Sequence, residues 1–249
     1  MFQNPLTDQL LYQGFYPAIY TKNTPANMLY RDYYNTYVER DIHHLLKVKN
    51  LQAFQTFIRL CAGRVGSECN FSSLSNDVGV SVPTITEWVS ILQASYIVWK
   101  LPPYFANINK RLVKTPKLYF YDTGLLCYLL GIENVQQLKT HPLRGSIFEN
   151  MVLNEVLKSR FNQGKDNNLC FYRENKGAEV DLVSPQSNKL SIMEIKSAKT
   201  FTKDFMRGIK HLEDILGEDI VRSCVVYDGD LESPTLMRGI YNFRNISDF

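Results

Sequence analysis

Three charged residues sit in stretches that otherwise read as buried strand. They are Asp181 in "AEVDLVS", and Glu194 and Lys196 in "KLSIMEIKS". A charge is costly to bury unless it is paired or holds a metal. In a strand, residues two apart share a face, so Glu194 and Lys196 are predicted to be neighbours while Ile195 faces the core. Asp181 lies on the preceding strand of an expected hairpin and can converge with Glu194 at one end. Glu149, in the helical stretch "IFEN", can lean over the same end. Three carboxylates and a lysine suit divalent-metal chemistry on phosphodiesters. Mg²⁺ and Mn²⁺ prefer hard oxygen ligands, often one or two carboxylates with water and substrate phosphate. Asp181 and Glu194, with the Ile195 carbonyl, are the expected ligands. Glu149 is a further ligand or a water holder. Lys196 would orient the attacking water and stabilise developing charge. Glu179, on the same face as Asp181, is an extra ligand competing for that role or lies at the rim, and Arg173, on the strand before, is expected to contact a phosphate or to pair with one of the acids. E-x-K on a strand is often only a surface ion pair. The order helix Glu, hairpin Asp, E-x-K within one small α/β unit is what makes the set specific.

The elements that position these residues follow from periodicity. The second part of the chain reads helix ("RGSIFENMVLNEVLKSRF"), three strands, helix ("TKDFMRGIKHLEDILG"), strand ("VRSCVVYDG"), with a last short strand in "RGIYNF". The first part is helical. Tyr30, Tyr33, Tyr34, Tyr37, Val38, Ile42 and Leu45 recur at helical spacing, and "NLQAFQTFIRLCAGRVG" gives a second helix. A helix-turn-helix is predicted next. Its first helix runs from Ser72 to Val78 and is stopped by Gly79; Ser81 caps the second, with Pro83 in the first turn. Ile85, Val89 and Leu92 form the buried stripe of that second helix, with Trp88 flanking. Strands in "YIVWKLP" and "KLYFYD" surround the basic loop "NKRLVKTPK", completing a winged-helix pattern. The second helix carries no Lys or Arg, so major-groove reading by it is disfavoured, because phosphate contacts supply most DNA affinity. Lys110, Arg111, Lys114 and Lys117 in the wing are the better candidates for nucleic-acid contact. The short helix "YDTGLLCYLLGI" and a polar connector, Glu133 to Pro142, follow.

The fold class expected is therefore α+β: an N-terminal helical winged-helix region, then an α/β domain with a mixed central sheet. The predicted divisions are 1–45, 46–140 and 141–249. Residues 1–143 hold 13 Lys and Arg against 9 Asp and Glu, so the basic excess lies in the first part. No apolar run approaches the ~20 residues of a membrane helix, and no secretory signal pattern opens the chain. The five cysteines are scattered and do not combine with the four histidines at zinc-ligand spacing. Reduced thiols and a cytoplasmic location are expected. A phosphate loop of the form GxxxxGK[ST] does not occur, so no nucleotide site is visible.

Glu149, Asp181 and Glu194-x-Lys196, in that order, resemble the motif of the PD-(D/E)XK nuclease superfamily. Longer stretches resemble the C-terminal part of a bacterial and archaeal family of AAA-type ATPases: "LLYQGFYPAIY", "YRDYYNTYVERDI", "KRLVKTPKLYFYDTGLLCYLLGI", "LRGSIFENMVLNEVLK", "FYRENKGAEVDLV" and "MEIKSAKT". In that family a P-loop ATPase domain precedes a domain of unknown function. The resemblance implies a winged-helix region followed by a nuclease-like fold. It also implies that residues 1–45 are the tail of an absent ATPase core, with Arg40 and Asp41 at its interface. The chain is then a piece of such a protein or a reduced member. The expected function is metal-dependent phosphodiester hydrolysis on DNA; the alternative is an inactive DNA- or protein-binding module coupled to an ATPase. Expected partners are nucleic acid and an ATPase domain or partner protein, with no membrane. A bare tyrosine face (Tyr30, Tyr33, Tyr34, Tyr37) would also favour a homo-oligomer.

Overall fold

The computed structural model describes residues 6–37, 50–105, 115–174, 178–235 and 238–246. The chain divides into two compact units, residues 1–100 with 117–151 and residues 101–116 with 152–249. Both mix helix and strand, and the central sheet is mixed, as expected for α+β.

The first unit begins with three short helices, α1 (Thr7–Gln13), α2 (Pro17–Thr21) and α3 (Ala26–Tyr33). Helix α4 (Leu51–Gly63) starts at Asn50, whose side chain accepts the Ala53 N–H, a standard use of Asn at a helix start. It buries Phe54, Phe57, Ile58 and Cys61 along one face. Helices α5 (Phe71–Val78) and α6 (Val82–Ala94) form the helix-turn-helix pair. Gly79 closes α5 in the left-handed region (φ 75°), which costs glycine no steric strain. Ser81 caps α6 by accepting the Thr84 N–H at 3.2 Å, and Pro83 occupies the first turn. Trp88 does not flank the α6 stripe but belongs to it; its ring lies 5.3 Å from those of both Phe54 and Phe57. Strands β1 (Val98–Leu101) and β2 (Lys117–Phe120) pair in a two-stranded sheet. Helix α7 (Thr123–Leu129) follows, and the polar connector contains a further short helix, α8 (Val135–Thr140), capped by Asn134 and anchored by buried Leu138. Helix α9 (Arg144–Asn162) leaves this unit after Met151.

A lock holds the N-terminal segment to α7. The Asp122 carboxylate accepts the N–H groups of Phe15 (2.7 Å) and Leu125 (2.9 Å), and the Tyr30 hydroxyl donates to the Gln13 carbonyl at 2.8 Å. Burial pushes the Asp122 carboxyl above its ordinary value against these donors. Gly124 leaves room for the Tyr30 ring, since a Cβ there would lie 2.3 Å from it. Tyr30 and Tyr34 are thus buried in this unit's own core and form no bare face. They pack there because α3 lays its aromatic stripe against α7.

The second unit is a five-stranded sheet in the order β3 (Cys170–Arg173), β4 (Glu179–Gln186), β5 (Lys189–Lys196), β6 (Ile220–Tyr227), β7 (Arg238–Asn242). Strands β3, β4 and β5 run antiparallel; β6 and β7 run parallel to β5. The β5–β6 crossover contains a 3-10 turn (Lys203–Met206) and helix α10 (Arg207–Leu216). Ile209 and Leu212 of α10 cover Val180, Val183, Ile192 and Val225 on the sheet. Both outer edges are paired. At β3, Pro103 bridges Phe171 and the Tyr104 N–H donates to the Phe171 carbonyl. At β7, Ser233 bridges Ile240.

Candidate functional site

The site residues of the second unit gather where β4 and β5 part. Two residues along β3, from Cys170 to Tyr172, match three along β4, from Val180 to Val183. Strand β4 therefore carries one extra residue at Asp181–Leu182. Such a bulge breaks strict alternation and re-aims a side chain. The ladder with β5 runs up to Leu182↔Met193. Beyond it the Asp181 carboxylate, not a β4 backbone carbonyl, takes the Ile195 N–H, at 2.7 Å. Asp181 is thus bound to the backbone between Glu194 and Lys196.

Glu194 is buried, and Lys196 Nζ lies 2.5 Å from its Oε1. The Lys196 side chain is 37% exposed, so the pair joins a buried carboxylate to a cation that still reaches solvent. Glycine at 208, in the first turn of α10, allows that helix to close over the pair. A Cβ there would sit 2.2 Å from the Glu179 carbonyl oxygen and 3.5 Å from Glu194 Oε2. At the ends of β5 and β6, the Asp228 N–H donates to the Lys196 carbonyl, and the fully buried Asp228 carboxylate binds Lys199 at 2.9 Å.

Glu149 lies in the first unit, where its carboxylate takes the Tyr119 hydroxyl in a short hydrogen bond and Lys117 Nζ at 3.6 Å. Lys117 is consequently no exposed wing cation; its side chain is 3% exposed and neutralises Glu149. Next to Glu149 in sequence, buried Asn150 grips β2, accepting the Phe120 N–H at 2.8 Å and donating to its carbonyl at 2.7 Å. Arg173 is half-exposed, and its guanidinium approaches Glu179 across the β3–β4 pair at 3.9 Å. Lys110, Arg111 and Lys114 of the basic stretch expected to form a wing, and Arg40 and Asp41, lie outside the described residues. The exposed face of α6 presents hydroxyls and Glu87 and no cation.

The acids Asp181 and Glu194 supply hard oxygen donors of the kind a divalent cation takes. Asp181 spends Oδ2 on the Ile195 amide, and the other side of Glu194 faces Gly208. Among the described residues no cluster of three or more His, Cys, Asp or Glu side chains is placed to hold a metal. A cation bound here would therefore complete its shell with backbone, water or substrate oxygens. Sequence reasoning missed the bulge, Gly208 and the Asp228–Lys199 pair. A glycine in the first turn of an amphipathic helix was the one available signal.

A model of a domain of unknown function, DUF8612, matches residues 4–136, more than half of the 249-residue chain. The chain belongs to the DUF8612 family. In this DUF8612 protein a second domain of unknown function, DUF4143, matches residues 144–244. The uncharacterised proteins Mb2031c of Mycobacterium bovis and Rv2008c of Mycobacterium tuberculosis are each 28% identical to it over 232 residues, covering 91% of this chain and 50% of the relative. The DUF8612 chain thus spans about half the length of the curated relatives it matches. No solved structure matches it. Among its described residues no helix is long and apolar enough to cross a membrane.

Proposed function

We propose that the second unit is a nuclease-like domain of PD-(D/E)XK type that hydrolyses phosphodiester bonds in DNA with Mg²⁺ or Mn²⁺. In this reading the first unit is a winged helix, and the chain works beside an AAA-type ATPase domain. The observation that carries the reading is the convergence of Asp181, Glu194 and Lys196 at the end of β5, with Asp181 bound to the Ile195 amide. Asp181 and Glu194 would hold the cation, whose chemistry there would be to lower the pKa of a bound water and offset charge on the phosphate. Lys196, now on Glu194, turns to orient the water and steady the developing negative charge. Lys110, Arg111, Lys114 and Arg173 are the cations available to the nucleic-acid backbone. The chain spans about half the length of its relatives, which leaves room in those proteins for the ATPase domain this reading calls for.

A second reading has an observation of its own. Lys196 already neutralises Glu194, and the described residues offer no cluster of three or more metal-binding side chains. The domain then binds DNA or a partner protein without cleaving and relays the state of an ATPase.

The test is cleavage of labelled single- and double-stranded DNA with Mg²⁺ or Mn²⁺ by the whole chain and by Asp181→Asn, Glu194→Gln and Glu149→Gln. The nuclease reading expects metal-dependent cleavage that falls by about 100-fold or more in Asp181→Asn and Glu194→Gln, with salt-sensitive DNA binding retained. Binding with no cleavage under either metal, or cleavage unchanged in both variants, overturns it. Glu149→Gln reports separately whether the first unit's carboxylate matters to the reaction.

A further inference from the structure

The first unit contains a pocket of about 640 Å³, within the range of small-molecule sites. It owes nothing to the acids of the second unit. Its walls are aromatic and fixed. The Tyr12 hydroxyl donates to the Glu133 carbonyl at 2.6 Å, and the Tyr128 ring packs on Tyr34 at 5.7 Å between centroids. Half-exposed Met28 adds a polarisable thioether, a favourable neighbour for an aromatic ring.

Two arginines line the same pocket. Arg31 is engaged by Asp32, the next residue on its own helix, at 3.1 Å. Arg59, on α4, is exposed and has no ion-pair or hydrogen-bond partner among the described residues. A guanidinium offers a rigid fork of donors that matches a carboxylate or phosphate with two parallel bonds. The one acid on the lining is Glu133. The pocket therefore joins a fork with no partner among the described residues, a second cation and one acid to the flat rings of Tyr12 and Tyr128.

We propose that this pocket binds a small planar aromatic anion, a carboxylate or a phosphate monoester. The anion seats on Arg59 and the ring lies against Tyr12, Tyr128 and Met28. Nothing in the proposed nuclease chemistry requires this site, so the two readings stand or fall separately.

The probes are 1-naphthoate, 1-naphthyl phosphate and the neutral 1-naphthalenemethanol, titrated into the full chain by calorimetry. At least one of the two anions is expected to bind with a sub-millimolar Kd, and the one that binds identifies the anion source. The alcohol should bind at least tenfold more weakly. Arg59→Gln should weaken the anion about tenfold or more, the loss expected for a charge-assisted hydrogen bond. Met28→Ala, at another exposed position, should weaken all three probes together. Failure of both anions to bind at millimolar concentration overturns the proposal. So does an alcohol that binds as tightly as the anions, or anion binding that Arg59→Gln leaves unchanged.

Discussion

Replacing Gly208 by alanine sets two effects of opposite sign against each other. Helix propensity alone favours alanine by at most about 1 kcal/mol, and by less in the first turn of a helix. The packing argues the other way. The new Cβ would stand 2.2 Å from the Glu179 carbonyl oxygen, whereas carbon–oxygen contacts normally begin near ~3.3 Å. The obstacle is backbone, not the tip of a flexible side chain, so α10 must move away from β4 by about 1 Å. Overpacking of this kind costs about 1–3 kcal/mol. The net expectation is a loss of about 1–2 kcal/mol, or several degrees in the melting of a domain of this size. Amide hydrogen exchange localises the effect. Both tryptophans, Trp88 and Trp99, lie in the first unit, so their fluorescence serves as an internal control. Protection should fall in α10 and β4 while tryptophan emission from the native protein stays unchanged. A variant as stable as the wild type, or more stable, refutes the close approach. If the nuclease reading holds, Gly208→Ala also lowers cleavage, because the displaced helix no longer backs Glu194.

Asn150→Ala strips both hydrogen bonds from the buried backbone of Phe120 and should cost about 2–4 kcal/mol by urea denaturation, far more than an exposed substitution. Asp122 predicts a pH effect. Its carboxyl is raised in the folded state by burial, so the protonated form is favoured there. Its contribution is therefore fully present below the ordinary carboxylate value and lost as pH rises through the elevated one. The unfolding free energy of wild type minus that of Asp122→Asn should fall over that rise, measured against pH; a difference that increases contradicts the assignment.

The helix-turn-helix was legible because its signals are local: Gly79 to stop one helix, Ser81 and Pro83 to start the next. The strands of the second unit were legible because their apolar runs are bounded by turns. The E-x-K spacing likewise placed Glu194 and Lys196 side by side without knowledge of any partner strand. What escaped depends on pairing. The extra residue at Asp181–Leu182 leaves no mark on the alternation of "AEVDLVS", because register is fixed between strands and not within one. Lys117 looked like part of a solvated basic loop. Only the opposition of Glu149 and Tyr119 explains how its ammonium can be buried. The tyrosines of α3 looked like a bare stripe for the same reason: the surface they cover, built on Gly124 and Asp122, lies some 90 residues away in sequence. The helix in the polar connector was hidden by its own composition, with Leu138 its only apolar anchor in the core.

The residues that pair with the outer edge of β3 come from positions 102–104, far upstream of the rest of that sheet. A fragment begun at the connector near residue 140 would carry every strand of the sheet and every residue of the Asp181 site, yet leave β3 with a row of unanswered N–H and C=O groups. Such an edge invites pairing with a second chain. Poor solubility of that fragment would then report a missing edge cover and not a defect in the site. A protein built to isolate the second unit has to bring the 101–105 segment with it.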